Sequence, residues 1–488
     1  MTLRPATAAA HRPAPLGLVL ALTVVGALVV ALDQLVVATA LPTLQRDLDA
    51  SMSSLEWTVS AFSLSLAALM VPAAELGDRL GRRRTYLLGL VVFAFASAAC
   101  ALAPNIGLLI GARVVQGAGG AMIMPAALAL LTAAAPPHRR GAVMGVYAAF
   151  MGLAVAGGPL VGGAVTEGLA WQWIFWINVP VIALVLPLAA TRLTEMKGRP
   201  VRPDVVGLLL VATSTFGIVW ALVRSGAAGW SSGEVLGTLI GGIVLLAGFV
   251  AWELRTEHPM LPMRLFTVRE FAAGNASALM LTASLMSTVF FLAQYLQVAQ
   301  GYSPFGTGVR FLPFTLPLFF VAPIAGRLQD RVGPRWLIST GLTLQAAGLL
   351  WLAVEAHQHD SYASSIAALV IAGVGTTMAM PAQQTSVMTS VPPESMGKAA
   401  GTFSAVRQLG GALGIAILAA VFAAHGIDQS PQDFADGFSA AMVAAAVLAI
   451  LGAAAGLLAP SRRATPASAP AAAPASADTS ATKAVSTG

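Results

Sequence analysis

An acid stands where an acid is costly. Asp33 lies within Leu16–Leu41, a run whose other residues are almost all aliphatic or small. An ionised carboxylate in hydrocarbon costs several kcal/mol, so such a residue is a functional-site hypothesis by default. Its natural counterpart is Arg113, which interrupts a second apolar stretch at 107–131. If the first stretch runs outward and the second inward, Asp33 lies about 12 Å and Arg113 about 9 Å below the same surface, at about 1.5 Å of rise per residue. Their matched depths predict that they approach one another, directly or through water. A neighbouring cation and burial act in opposite senses on a carboxyl's proton. Moving Arg113 or changing hydration would therefore alter proton occupancy at Asp33, whereas a fixed pair would only hold helices together. Glu56 and Glu75 fall at span ends and read as solvated rim positions. Arg407 is a third intramembrane charge, free either to snorkel toward an interface or to meet an anionic group or cavity water.

The elements that must position these residues are membrane helices. The 488-residue chain is 57% hydrophobic and 10% charged, against about 25% charged in soluble proteins. Fourteen stretches are long and apolar enough to span a bilayer: 16–41, 56–75, 85–103, 107–131, 141–165, 172–191, 205–224, 234–254, 274–298, 306–326, 336–355, 363–388, 399–424 and 437–459. The first follows Arg4 and Arg12 like a secretion signal, but its length and Asp33 argue for a retained helix. With the N-terminus inside, 22 of the 27 Lys and Arg residues fall in cytoplasmic segments, 3 outside and 2 within helices. That imbalance predicts cytoplasmic termini, in keeping with an even span count. The net charge of +6 is thus a topology signal, and no nucleic-acid partner is expected. Cys100 is the single cysteine and no histidine pair has HExxH spacing, so no disulfide, metal site or zinc hydrolase is expected. No phosphate-cradling GxxxxGK[ST] occurs, no Ser/His/Asp set shares one depth, and neither a catalytic residue nor a cofactor is expected.

The chain repeats itself. Gly77-Asp78-Arg79-Leu80-Gly81-Arg82-Arg83 follows the second span, and Gln329-Asp330-Arg331-Val332-Gly333-Pro334-Arg335 follows the tenth, 252 residues on. Recurrence in equivalent loops is what parallel repeats about an axis along the membrane normal produce. Eight spans separate the copies, so two spans are extra if each half holds six. The expected domains are 1–200, a six-helix bundle; 201–262, an inserted pair; 263–462, a second bundle; and 463–488, a disordered Ala/Pro/Ser/Thr-rich tail. Gly81 and Gly333 suit tight reversals with positive φ. In the fifth span Ala154, Gly158 and Gly162 make a small-residue stripe for close helix approach, and Pro159 bends the helix.

These loop motifs resemble the signature of the major facilitator superfamily, and fourteen spans resemble its drug:proton antiporter branch. Leu32-Asp33 through Leu41-Pro42, Arg113-Val-Val-Gln116-Gly117-Ala-Gly119-Gly120, and Gly152 through Gly157-Gly158-Pro159-Leu-Val-Gly162-Gly163 are similar to motifs of its first, fourth and fifth helices. Trp171 through Pro180, Asp204-Val-Val-Gly207, Tyr295-Leu-Gln297 with Gly301-Tyr302-Ser303-Pro304, and Arg407-Gln408-Leu-Gly410-Gly411 extend the likeness along almost the whole chain. Leu35, Ala38 and Ala74 depart from the family pattern, which has Thr, Asn and Gly there.

The resemblance implies an all-α integral membrane protein with the major facilitator fold, two six-helix bundles plus two inserted helices. It implies a multi-pass protein of the cell membrane, and a monomer, that exports amphipathic small molecules such as drugs or antibiotics in exchange for protons by alternating access. Asp33 and Arg113 would couple protons. Asp78, Arg79, Gly81, Arg82, Arg83, Asp330, Arg331, Gly333 and Arg335 would form a cytoplasmic gate. Gly157, Gly158, Pro159, Gly162 and Gly163 would seal the cavity against proton leak, and Gln116, Phe290, Gln294, Gln297, Gln345 and Arg407 are candidates for the substrate wall. A narrow-specificity metabolite transporter of the same fold, or a non-transporting membrane sensor, are the alternative readings.

Overall fold

The computed structural model describes residues 14–136, 139–196, 204–257, 259, 261, 263–357, 362–391, 396–425 and 430–459. Among these residues there is helix and no strand. Apolar runs of this length leave helix as the only element that satisfies its own backbone in lipid. The first half comprises α1 (Leu16–Asp47), α2 (Met52–Leu80), α3 (Arg82–Ala101), α4 (Ile106–Ala134), α5 (Arg140–Gly168), α6 (Trp173–Trp176) and α7 (Asn178–Arg192). Then come α8 (Val205–Ala228) and α9 (Gly233–Arg255). The second half comprises α10 (Arg269–Gln294), α11 (Pro304–Arg310), α12 (Leu312–Thr315), α13 (Pro317–Val332), α14 (Pro334–His357), α15 (Tyr362–Thr389), α16 (Met396–His425) and α17 (Pro431–Gly456). Thirteen helical segments are long and apolar enough to cross a membrane, and α2, bent by 48° at Pro72, makes a fourteenth. The expected disordered tail at 463–488 lies outside the described residues.

Polar residues at span ends cap the helices, so several run further than their apolar cores. Ser51 accepts a hydrogen bond from the Ser54 amide at 3.3 Å, Asn105 from Leu108 at 2.9 Å and Ser232 from Val235 at 3.2 Å. Two spans are segmented. Ile177 separates α6 from α7, and the span beginning at Pro304 is divided into α11, α12 and α13, with Pro313 and Pro317 at the starts of the latter two. Each proline lacks the N–H that would continue the helical ladder. A single π-helical turn, Tyr295–Ala299, extends α10.

The repeat seen in the sequence recurs in the packing. In the first half α1 packs on α5, and α4 on α2 and α3; eight spans later α10 packs on α16, and α15 on α13 and α14. Both motif loops turn at a glycine in the left-handed region, Gly81 at φ 114° and Gly333 at φ 81°. The end of the molecule bearing these loops is here termed the motif side and the opposite end the far side. Helix α8 packs on α9 and also on both α2 and α16, so it lies along the junction between the halves. Trp57, Phe216 and Trp220 join α2 to α8, with ring centroids 5.5 to 5.8 Å apart. Large exposed side chains such as Phe95, Leu184, Ile240 and Phe320 cover the outer surface, as a lipid-facing surface requires.

Candidate functional site

Asp33 sits inside the first half, not on an open wall. Its Oδ2 accepts from Arg113 Nη1. Its Oδ1 accepts from Gln116 Nε2 at 2.8 Å and from Asn178 Nδ2 at 2.9 Å. Ser97 Oγ, from α3, accepts from the same two amides at 2.8 and 3.3 Å. Arg113 Nη1 also donates to Gln116 Oε1 at 2.7 Å, and Nε donates to the Thr58 carbonyl of α2 at 3.1 Å. The guanidinium carbon stands 4.1 Å from the Phe62 ring centroid and 5.8 Å from that of Phe175. Cys100 approaches Gln116 Oε1 at 3.7 Å.

Every member of this cluster belongs to the first half, and Asp33, Arg113, Gln116 and Asn178 are all buried. Removing one partner of such a buried ion pair costs about 3–5 kcal/mol because the other is stranded. Arg113 Nη2 has no hydrogen-bond partner among the described residues. The carboxylate thus has three donors and no contact with open space among the described residues, so water reaches it only if the cluster opens. Gln116, placed by the sequence on a substrate wall, is instead a carboxylate ligand here. Asn178 and Ser97 were missed by charge-based reading; an Asn within an apolar run was the available signal.

The glycines of α5 serve two neighbours. A Cβ at Gly158 would meet Leu35 at 2.7 Å, and one at Gly162 would overlap Val36 and Thr39, so the stripe closes on α1. Gly163 faces the second half, where a Cβ would overlap the Pro304 carbonyl; reciprocally, one at Gly308 would lie 2.6 Å from the Pro159 oxygen. Gly157 has nothing within 4 Å of its Cβ position. Two further bonds cross between the halves on the far side: Gln297 Nε2 donates to the Thr39 carbonyl, and the Phe305 amide to Glu167 Oε2, each at 2.8 Å. Nearer mid-depth, Gln34 Nε2 donates to Gln408 Oε1 at 3.0 Å. The halves are in close contact from mid-depth to the far side.

The first motif loop is tied within its own half. Asp78, near the end of α2, pairs with Arg82, at the start of α3, across the Gly81 turn at 3.0 Å. Glu195, which the sequence reading did not single out, accepts from the Arg83 amide at 3.0 Å and lies 3.8 and 3.7 Å from the Arg83 and Arg84 guanidinia. Arg83 Nη1 also donates to the Leu193 carbonyl at 3.1 Å. Pairs this exposed contribute about 0–1 kcal/mol each, so only their sum can matter to a conformational balance. Arg79 has an interaction partner. In the second loop Arg335 stacks 5.5 Å from Trp336 and Arg331 is exposed, while the Asp330 side chain lies outside the described residues.

The other wall candidates divide by burial. Phe290, Gln294 and Gln345 are buried in the second half. Phe290 packs edge-on to Phe291 with centroids 4.9 Å apart, and Gln345 Nε2 donates to Ser284 at 3.3 Å. Only Gln297 and Arg407 remain part-exposed. Glu56 is buried and has a partner, rather than lying at a solvated rim, because the start of α2 is covered by neighbouring helices.

Two repeated bundles, an inserted pair and a buried charge cluster are the features of a multi-pass helical membrane protein. The family model described as Major Facilitator Superfamily matches residues 23–254 and 271–487, and the chain belongs to that family. It is 33% identical over 434 residues to the tetracenomycin C resistance and export protein of Streptomyces glaucescens, covering 88% of this chain and 80% of that one. It is 36% identical over 425 residues to the puromycin resistance protein pur8 of Streptomyces alboniger, covering 84% of each. Among solved structures, a POT family transporter in complex with a thioalcohol-conjugated peptide superposes with a TM-score of 0.68 at 14% identity, covering 90% of this chain and 94% of that chain. That last likeness is one of fold alone.

Proposed function

We propose that the protein is a proton-coupled exporter of amphipathic small molecules, drugs or antibiotics among them, working by alternating access with both termini in the cytoplasm of the cell. The observation that carries this reading is the fully buried Asp33–Arg113 pair, whose carboxylate is further held by Gln116 and Asn178. An ion pair so placed contributes little net stability over apolar packing, which favours a working role over a structural one. Rocking of one half against the other, transmitted into the first-half helices that hold the cluster, would admit water to it on alternate sides and load or release one proton per cycle.

The relatives named for tetracenomycin C export and puromycin resistance support export as the direction of transport. An apolar recess of about 260 Å³ on the motif-side half of α1, lined by Leu20, Val24, Leu28 and by Phe150 of α5, suits the hydrophobic part of such a substrate. The motif loops would act as the cytoplasmic gate, and Gly158, Gly162 and Gly163 of α5, which close on neighbouring helices, as the seal on the far side. The test is substrate-driven proton movement in proteoliposomes with a pH-sensitive dye inside, wild type beside Asp33→Asn. Wild type moves protons with at least one amphiphile and the variant moves none. Equal proton movement by both would make Asp33 structural, and a stoichiometry of two or more would rule out a single coupling acid.

A further inference from the structure

The mechanism just described uses one intramembrane arginine and leaves the other. Arg407 lies well inside α16, as its twelfth residue, and is part-exposed. Its guanidinium carbon stands 5.7 Å from the Phe403 ring centroid. The helices of the second half carry carboxylates only toward their ends, at Glu270, Asp330, Glu355, Asp433 and Asp436. Asp33 is already engaged by Arg113. Among the described residues Arg407 therefore has no fixed counter-ion at its depth. A bare cation at such a depth is costly, and it persists where water or a bound anion can reach it.

Two unsatisfied amides stand at neighbouring positions. Asn275 of α10 and Gln383 of α15 are both buried, and Asn275 Oδ1 and Gln383 Nε2 have no hydrogen-bond partner among the described residues. Helices α10 and α15 meet here, since a Cβ at Gly274 would lie 3.5 Å from the Gln383 carbonyl. Helices α10 and α16 run in register, Gly410 against Leu279 and Gly414 against Ala283. The same offset sets Arg407 level with Ala276, beside Asn275. Each is a buried polar atom open to a partner from a ligand or from water.

We propose that Asn275, Gln383 and Arg407 form a subsite in the second half that receives the carboxylate, or another acidic group, of an amphipathic substrate. Arg407 supplies the charge and a forked donor set; Gln383 Nε2 supplies a further donor, and Asn275 Oδ1 accepts from a hydroxyl on the same ligand. The subsite rests on the reading of this protein as an exporter of amphiphiles, and it narrows that class to compounds with an acidic group. It is independent of the proton site, which lies wholly in the other half.

The test is equilibrium binding to the full chain in nanodiscs of neutral lipid, empty nanodiscs subtracted, with no proton gradient. The probes are anthraquinone-2-carboxylate, its carboxamide and the corresponding aminomethyl cation. A charge-assisted contact predicts that the carboxylate binds about ten- to a hundred-fold more tightly than the carboxamide. Arg407→Gln abolishes that preference and Arg407→Lys, which retains the charge and guards against misfolding, keeps part of it. Asn275→Ala weakens binding less. Tightest binding by the cation, an unchanged preference in Arg407→Gln, or no binding by any probe overturns the proposal. Asp33→Asn retains the preference; if that variant also moves protons like wild type, the coupling role of Asp33 fails while the subsite stands.

Discussion

At the scale of single residues the first half is organised around one carboxylate and the donors that satisfy it. Arg113→Ala leaves Asp33 buried with only amide partners, and the expected loss of stability is about 3–5 kcal/mol. Arg113→Gln with Asp33→Asn is the informative comparison. The double variant removes both charges and should recover most of that loss, read as the unfolding midpoint in detergent. A double variant as unstable as Arg113→Ala would mean that shape, not charge, holds this region. Asp33 and Arg113 were legible because a charge in an apolar run is conspicuous. Asn178 and Ser97 were not, since a polar residue within a helix can bond its own backbone and sequence does not give the rotation that aims it at a neighbour. Arg113 and Gln116 are three residues apart and so share a helix face, a relation that could have moved Gln116 from the substrate wall to the cluster.

At the scale of elements, what distinguishes α5 is that adjacent glycines face different helices. Gly162 closes on α1 within the half, and Gly163 on the Pro304 carbonyl across the halves. Gly163→Val places methyl groups where that carbonyl stands, and the far-side junction must part. The expected outcome is faster passive proton entry into proteoliposomes without substrate, whereas Gly157→Val, at a position open to 4 Å, leaves it unchanged. Equal leak from both variants would remove the sealing role of this contact. The spans themselves were readable from hydropathy because their length is set by the bilayer. Segmentation of the tenth at Leu312 and Pro317 was present in the sequence as prolines, but a proline kinks some membrane helices and interrupts others according to what its neighbours can satisfy.

At the scale of the whole molecule the repeat fixed the architecture, and the position of the inserted pair was the part that sequence left open. Neither α8 nor α9 carries a mid-depth charge, so a lipid-facing scaffold was the default. Helix α9 is largely exposed, as that default requires. Helix α8 is not, for Val219 and Val223 pack with Ala416 of α16 while Trp57 of α2 joins the same cluster. Any rocking of the halves must shear or carry α8. Val219→Cys with Ala416→Cys should crosslink under oxidation and slow transport, with reduction restoring the rate. Crosslinking without effect would show that α8 travels with α16 as one body.

Cys100 gives that experiment an unusually clean background. It is the only thiol in the chain, it is fully buried, and it stands beside Gln116 in the carboxylate cluster. Sulfhydryls introduced elsewhere meet no native competitor while the cluster stays shut. The native sulfur is in turn an intrinsic stopwatch: its alkylation by a small maleimide times how often reagent-sized openings reach the interior of the first half, with no label added and no residue changed.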